Sequence, residues 1–373
     1  MVSKILQDFD ISTFQNDLVT WFSNHYRELP WRENKDPYRV WVSEIMLQQT
    51  RVDTVIPYYQ AFMRQFPTLE TLAYAEEDQV LKAWEGLGYY SRARNLQSAV
   101  REVVESYGGE VPSTRKEISK LKGVGPYTAG AILSIAYDQP EPAVDGNVMR
   151  VLSRVLYIEE DIAKVKTRTL FESLLYDLIS KENPSFFNQG LMELGALVCT
   201  PTSPGCLLCP VRDHCRAFAA GVQEQLPIKA KKKKPKAKQL IAAVIRNEKG
   251  QVLIERRPEK GLLAKLWQFP NVELESTKNA QQVLGDYIHE RFHLDAAVGE
   301  YVQTVEHVFS HLIWNIRVYE ATVKGVPSLN DKYEADWVDD RTIENYAFPV
   351  SHQKIIQGNL RKVDDTIGFT AEG

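Results

Sequence analysis

Along the first 225 residues apolar side chains recur at intervals of three and four, as in Val148, Val151, Leu152, Val155 and Leu156, and again in Val80, Leu81 and Trp84. That period matches one face of an α-helix and predicts an all-helical region. From residue 240 onward the pattern changes. The runs QLIAAVIRN, QVLIERRP and HLIWNIRVYEATV read as strands, and one helical segment is predicted near residues 279–292. Between the two regimes, residues 229–238 read KAKKKKPKAK, seven lysines and a proline, the composition of a solvated linker. The predicted organisation is a helical domain over residues 1–228, a basic linker over 229–239 and a smaller α+β domain over 240–373.

With 373 residues, 44% of them apolar, each domain can bury a core. No stretch approaches the roughly 20 apolar residues of a membrane span. Residues 1–14 lack the basic start, apolar run and small-residue cleavage site of a secretory signal, so a reducing, cytoplasmic setting is expected. A net charge of -4 argues against a uniformly basic nucleic-acid binder. The lysine run is the exception, and phosphate contact there would add to its linker role.

All four cysteines fall within seventeen residues, Cys199, Cys206, Cys209 and Cys215, in a C-x6-C-x2-C-x5-C run. In a reducing setting this indicates one metal site rather than a disulfide framework. Four thiolates can hold tetrahedral zinc or an iron–sulfur cube. Structural zinc sites usually show two close-spaced pairs and this run has one C-x2-C, which favours [4Fe-4S]; zinc and unligated structural thiols are the alternatives.

Residues 114–137, TRKEISKLKGVGPYTAGAILSIAY, predict a helix, a GVG turn and a second helix with Pro126 in its first turn. Gly123 and Gly125 let backbone amides approach a ligand at a helix N-terminus, where partial positive charge favours phosphate. An ordinary helix–helix turn has the same glycine content. The cysteine cluster some 75 residues later in the chain tilts the reading toward a helix-hairpin-helix contact with DNA backbone.

With these motifs in place, residues 10–225 resemble the helix-hairpin-helix DNA glycosylases of the endonuclease III type. LKGVGPYTAG matches the hairpin, PAVDGNVMRV the segment with the catalytic aspartate, and the cysteine run the [4Fe-4S] loop. The details resemble the adenine-specific branch, which acts on double-stranded DNA with adenine opposite 8-oxoguanine or G. Lyase-type relatives carry a Schiff-base lysine just after the hairpin; Tyr127 stands there, which implies a monofunctional hydrolase that leaves an abasic site. A monomer is expected.

Cleaving a purine N-glycosidic bond calls for a proton on the leaving base and negative charge near an oxocarbenium-like sugar, hence two carboxylates in unlike environments. Glu44, in RVWVSEIMLQQT with Trp41, Ile45 and Gln48 on its helical face, is expected to be desolvated and protonated. Asp145, before a helix, is expected to stay ionised through amides and the helix dipole. The resemblance implies that Tyr127 and Asn147 support this pair. It further implies that Gln48, Gln49, Thr50 and Tyr89 fill the gap left by the flipped base, that Leu87 binds DNA with them, and that Arg27, Trp31, Arg32 and Gln189 border the base pocket. Taken singly, an aspartate there is an N-cap, and an exposed tyrosine or a QQ pair is ordinary surface.

The second domain resembles the C-terminal domain of the same branch, itself related to Nudix hydrolases. Its helix reads QQVLGDYIHERFHLD, without the acidic R-E-x-x-E-E box that binds magnesium, so recognition is expected rather than hydrolysis. Phe309, Ser310 and His311 match the loop that reads 8-oxoguanine; the Ser310 hydroxyl can accept from the N7–H that oxidation creates. The competing readings are a thymine-mismatch glycosylase, an endonuclease III-like lyase and, in another class, a non-catalytic metal-cluster DNA-binding protein.

Overall fold

The computed structural model describes residues 2–230, 234–275, 278–329 and 332–360. They divide into two compact units, one built from residues up to 75 and from 95 to 230, the other from 76–94 and from 234 onward. Among the described residues no helix is long and apolar enough to cross a membrane.

No strand occurs among the described residues of the first unit. Five of its helices matter for the site: α1 (Ile11–His25), α2 (Pro37–Met46), α3 (Pro126–Tyr137), α4 (Gly146–Val155) and α5 (Pro184–Leu197). The apolar face predicted for α4 is buried in full, Val148, Val151 and Leu152 at 0% exposure, and packs with Phe14 and Leu18 of α1 and Phe187, Leu191 and Leu194 of α5. α3 is apolar all round and correspondingly central, with Ala129, Ala131, Ile132 and Leu133 buried.

The second unit is a seven-stranded sheet between two helices: β1 (Lys236–Arg246), β2 (Val252–Arg256), β3 (Trp267–Gln268), β4 (Asn271–Glu273), α6 (Ala280–Phe292), β5 (Ala297–Val308), β6 (Leu312–Thr322), β7 (Ala335–Val338) and α7 (Val350–Asn359). β1 pairs in parallel with β6 along its whole length, from Lys236 against Leu312 to Arg246 against Thr322. Side chains alternate across the sheet. Leu240, Ala242 and Val244 pack on the side of Ile355 in α7, whereas Ile241, Ala243 and Ile245 pack against Leu284, Ile288 and Phe292 of α6.

Two boundaries differ from the sequence reading. The strand begins at Lys236, inside the expected linker, because β6 offers it a full-length partner; Lys231, Lys232 and Lys233 lie outside the described residues. Residues 76–94, expected in the helical domain, pack with the sheet. Asp78 and Glu334 both pair with Arg256, Glu77 pairs with Lys265 at 2.9 Å, and Arg94 donates to the Ala264 carbonyl at 2.7 Å. The apolar period of Val80, Leu81 and Trp84 correctly marks a helix, Glu77–Ala83, but periodicity says nothing about which core a short helix joins.

Candidate active site

Segments of the first unit converge on a cavity of about 150 Å³. That is below the several hundred Å³ of pockets for drug-sized ligands, a size for one small ring system. α2 supplies Glu44. Asp36 starts this helix by accepting from Arg39 N at 3.0 Å, with Pro37 in the first turn. Tyr127 enters from the first turn of α3, Asp145 and Asn147 from the start of α4, and Gln189, Met192 and Glu193 from one stripe of α5.

Glu44 is only 5% exposed. Burial raises its carboxyl to about 7; the Asp145 charge adds to the rise, while a hydrogen bond from Tyr127 and the charge of Arg32 oppose it. The Tyr127 hydroxyl donates to Glu44 Oε2 in a short hydrogen bond, and burial holds the phenol well above its usual range, so it remains a donor. Asp145 caps α4, accepting from Val148 N at 2.7 Å and from Asn147 Nδ2 at 3.0 Å. The expectation that such contacts keep its carboxyl low is corrected: burial pushes it up, and the bonds from Val148 and Asn147 only resist the rise. Burial thus raises both carboxyls, and what differs between them is the partners, Tyr127 on Glu44 and Asn147 with the Val148 amide on Asp145.

Asn147 is held from behind. Its Oδ1 accepts from Arg150 Nη2 at 2.8 Å, and Arg150 also donates to the carbonyls of Gly195 at 2.7 Å and Cys199 at 2.8 Å. Two glycines permit the packing. A Cβ on Gly130 would lie 1.7 Å from the Pro142 carbonyl oxygen, and one on Gly195 would lie 2.7 Å from Asn147 Cβ. Gly130 thus lets the PAVD segment lie directly on α3, which brings Asp145 beside Tyr127.

Arg27, Trp31, Arg32 and Gln189 line the same cavity, and so does Thr50, which was expected instead among the residues that fill the gap left by the flipped base. Arg32 Nε donates to Gln189 Oε1 at 3.0 Å, and Trp31 is fixed edge-on against Tyr59. The sequence reading missed Glu193, the hub of this wall. Burial pushes the Glu193 carboxyl up, but hydrogen bonds and charge from Arg27 and Arg32 outweigh it and hold the group at about 2. Its signal was present: Gln189 and Glu193 are one turn apart, and Glu193 is the one charged residue in the helix PSFFNQGLMELGAL.

Gln48, Gln49 and Thr50 follow the end of α2. Gln48 Nε2 donates to Thr128 Oγ1 at 3.3 Å, and Gln49 has a left-handed φ of 61°. In the hairpin, Thr114 caps the short helix Arg115–Ile118, Gly123 turns with φ 80°, and Gly125 is the N-cap of α3.

Cys199, Cys206, Cys209 and Cys215 line one small cavity and none is in a disulfide. Among the described residues no three His, Cys, Asp or Glu side chains gather as a single-ion site. Burial pushes the thiols of Cys206 and Cys215 up and that of Cys209 to about 12, so they would ionise only for a strongly positive group. Arg154, 1% exposed, donates to Cys199 Sγ at 3.3 Å and to the Thr200 and Pro201 carbonyls at 2.7 and 3.2 Å. Four thiols around one space, with a guanidinium aimed at a sulfur, fit an anionic thiolate cluster.

In the second unit, Phe309, Ser310 and His311 form the hairpin turn between β5 and β6, closed by Phe309 N donating to the Leu312 carbonyl at 2.7 Å. They share a cavity of about 340 Å³ with Leu87 and Tyr89. The Phe309 ring is held edge-on between His307 at 4.5 Å and Trp314 at 4.9 Å. On α6, Tyr287 and Arg291 bind the fully buried Glu255, an internal ion pair where an acidic box would stand.

Two family models match, the HhH-GPD superfamily of base excision DNA repair proteins over residues 42–176 and the NUDIX domain over residues 241–358. The adenine DNA glycosylase of Rattus norvegicus is 36% identical over 93% of this chain and 78% of its own length. Those of Homo sapiens and Buchnera aphidicola (subsp. Schizaphis graminum) are 35% and 33% identical, each over 93% of this chain, covering 74% and 99% of their own lengths. The solved structure of a thermostable thymine-DNA glycosylase matches 56% of this chain and 97% of its own, with 28% identity and a TM-score of 0.51.

Proposed function

The chain belongs to the adenine DNA glycosylase family, and from that membership we propose that Glu44 and Asp145 carry the excision of adenine from DNA. It is a base excision repair enzyme that hydrolyses N-glycosyl bonds. The observation that carries the assignment is the buried Glu44 carboxyl, raised to about 7, facing the same cavity as Asp145.

The adenine leaves the duplex and enters the cavity bordered by Arg32, Gln189 and the Arg27–Glu193 pair. Glu44, protonated and oriented by Tyr127, gives its proton to the base; the bond from C1′ to N9 breaks with its electron pair on adenine. The positive sugar is stabilised by the Asp145 carboxylate, which Asn147 and the Val148 amide hold in place. Water then adds at C1′ and gives up one proton to a carboxylate of the cavity, which returns the proton spent on the base, and free adenine and an abasic site are released. No lysine stands at position 127 to form a Schiff base, so strand scission is not part of the reaction.

The cysteines would hold a [4Fe-4S] cluster, which when bound cross-links residues 199–215 through iron–thiolate bonds. Opposite the adenine, the proposed preference is 8-oxoguanine over G, read by the Phe309–His311 turn together with Leu87 and Tyr89. The enzyme acts as a monomer on duplex DNA.

Single-turnover incubation with duplexes carrying A opposite 8-oxoguanine, A opposite G, T opposite G and A opposite T, quenched with and without alkali, tests this reading. Breaks at adenine only after alkali, fastest opposite 8-oxoguanine, are expected. Cleavage at thymine, or breaks without alkali, would overturn it.

A further inference from the structure

Leu87 and Tyr89 belong to a turn that nothing in its own sequence makes rigid, yet the turn is tied down at several points. Tyr89, 48% exposed, is held in the left-handed region at φ 45°, a conformation unfavourable for a bulky residue. Such strain persists only where neighbours over-determine it. On its C-terminal side Arg92 Nη2 donates to the Leu87 and Gly88 carbonyls, both at 3.1 Å, with its guanidinium over the Tyr89 ring.

The N-terminal side is tied to a distant stretch of the same unit. Glu85 Oε1 accepts from the Phe348 amide at 2.7 Å, and Oε2 accepts from Lys82 Nζ at 2.7 Å. Lys82 also donates to the Tyr346 carbonyl at 3.1 Å. The Tyr90 hydroxyl donates to the Phe348 carbonyl at 3.4 Å and accepts from the Gly86 amide at 3.1 Å. Residues 346–348 are therefore gripped through backbone groups by side chains that flank the turn on both sides.

We propose that Glu85 is a positioning residue for recognition of the base opposite the adenine. Its bonds to the Phe348 amide and to Lys82 fix the Gly86–Tyr89 turn, so that Leu87 and Tyr89 share one cavity with Phe309, Ser310 and His311. Glu85 does not touch that cavity and acts only through the turn. The inference rests on the reading of this cavity as the site for the opposite base.

The test uses the full-length enzyme with Glu85→Ala, Glu85→Gln, Ser310→Ala and the Glu85→Ala/Ser310→Ala pair. Single-turnover rates on A opposite 8-oxoguanine and A opposite G give a discrimination ratio, in which a general loss of folded enzyme cancels. Glu85→Ala is expected to lower the ratio about fivefold to tenfold, the scale of one charge-assisted hydrogen bond. Glu85→Gln, whose amide oxygen still accepts from Phe348, keeps most of it. Adding Glu85→Ala to Ser310→Ala lowers the ratio little further, because both act on one surface. Amide hydrogen exchange at residues 86–90 reads the clamp without any substrate, and Glu85→Ala is expected to speed it about tenfold while Glu85→Gln does so less. Unchanged exchange overturns the clamp; faster exchange with an unchanged ratio overturns its role in recognition. A wild-type enzyme that does not distinguish the two duplexes refutes the cavity reading, and with it that role, while the exchange result stands separately.

Discussion

Asn147 donates to Asp145 Oδ2 at 3.0 Å while its own Oδ1 accepts from Arg150 at 2.8 Å, so the cavity aspartate is fixed through a chain that ends on the Cys199 carbonyl. Replacing Asn147 by Ala removes one of the bonds holding the Asp145 carboxylate and leaves Arg150 short of an acceptor. Excision is expected to fall about tenfold to a hundredfold, with duplex affinity unchanged. A variant with the wild-type single-turnover rate would remove Asn147 from the account.

Gly130→Ala places a methyl where the Pro142 carbonyl oxygen now lies, 1.7 Å away, so α3 and the PAVD segment must separate. The expected cost is about 1 to 3 kcal/mol of stability, together with loss of excision, because Asp145 moves with that segment. Thermal unfolding checks the first and single-turnover kinetics the second; an unaltered midpoint would show that the close approach is not needed.

Burying Glu44 should also show in the stability of the folded enzyme. Its carboxyl is raised from 4.5 to about 7 in the fold. The native state therefore keeps the proton that the unfolded chain releases, and stability is lost as pH rises from about 4.5 through about 7. Glu44→Gln, which mimics the protonated acid, should leave stability nearly unchanged at pH 4 and raise it at pH 8, by up to about 3 kcal/mol. Denaturant titrations at the two pH values decide it; a variant less stable at pH 8 would contradict the assignment.

Lys229 and Lys234 precede β1 and Lys236 opens it, whereas Lys238 is already paired with Glu273 at 2.7 Å. Changing the first three to Gln should flatten the dependence of duplex affinity on salt, by up to about 0.9 in logarithmic slope for each phosphate left without its lysine. The preference among mispairs should not change. An identical slope would mean that these lysines serve connectivity alone.

Much of this architecture was legible in the chain because it rests on local rules. The 3.6-residue period at Val148 to Leu156 located α4, the GVGP sequence located the hairpin, and the change to β-rich runs located β1, β2 and β6. What local rules do not encode was missed. The strand β5 is largely exposed and carries little alternation, and residues 76–94 join the sheet through ion pairs with Arg256 and Lys265, far away in sequence. Glu44 and Asp145, singled out through the resemblance of their segments, line one cavity, but the balance between burial and hydrogen bonding at Asp145 depends on how deeply that cavity closes around it. Glu193 escaped because its importance lies in meeting Arg27 and Arg32, residues more than 150 positions away.

The central claim is that Glu44 acts as the acid in the cavity, and the Glu44→Gln enzyme tests it most directly. Single-turnover excision from a duplex with adenine opposite 8-oxoguanine should fall at least about a thousandfold, toward the upper range of what a positioned acid contributes, with binding of the duplex retained. The wild-type rate should decline as pH rises past about 7, where Glu44 gives up its proton. A Glu44→Gln enzyme within tenfold of wild type would contradict the account, since glutamine fills the same space and has no proton to give.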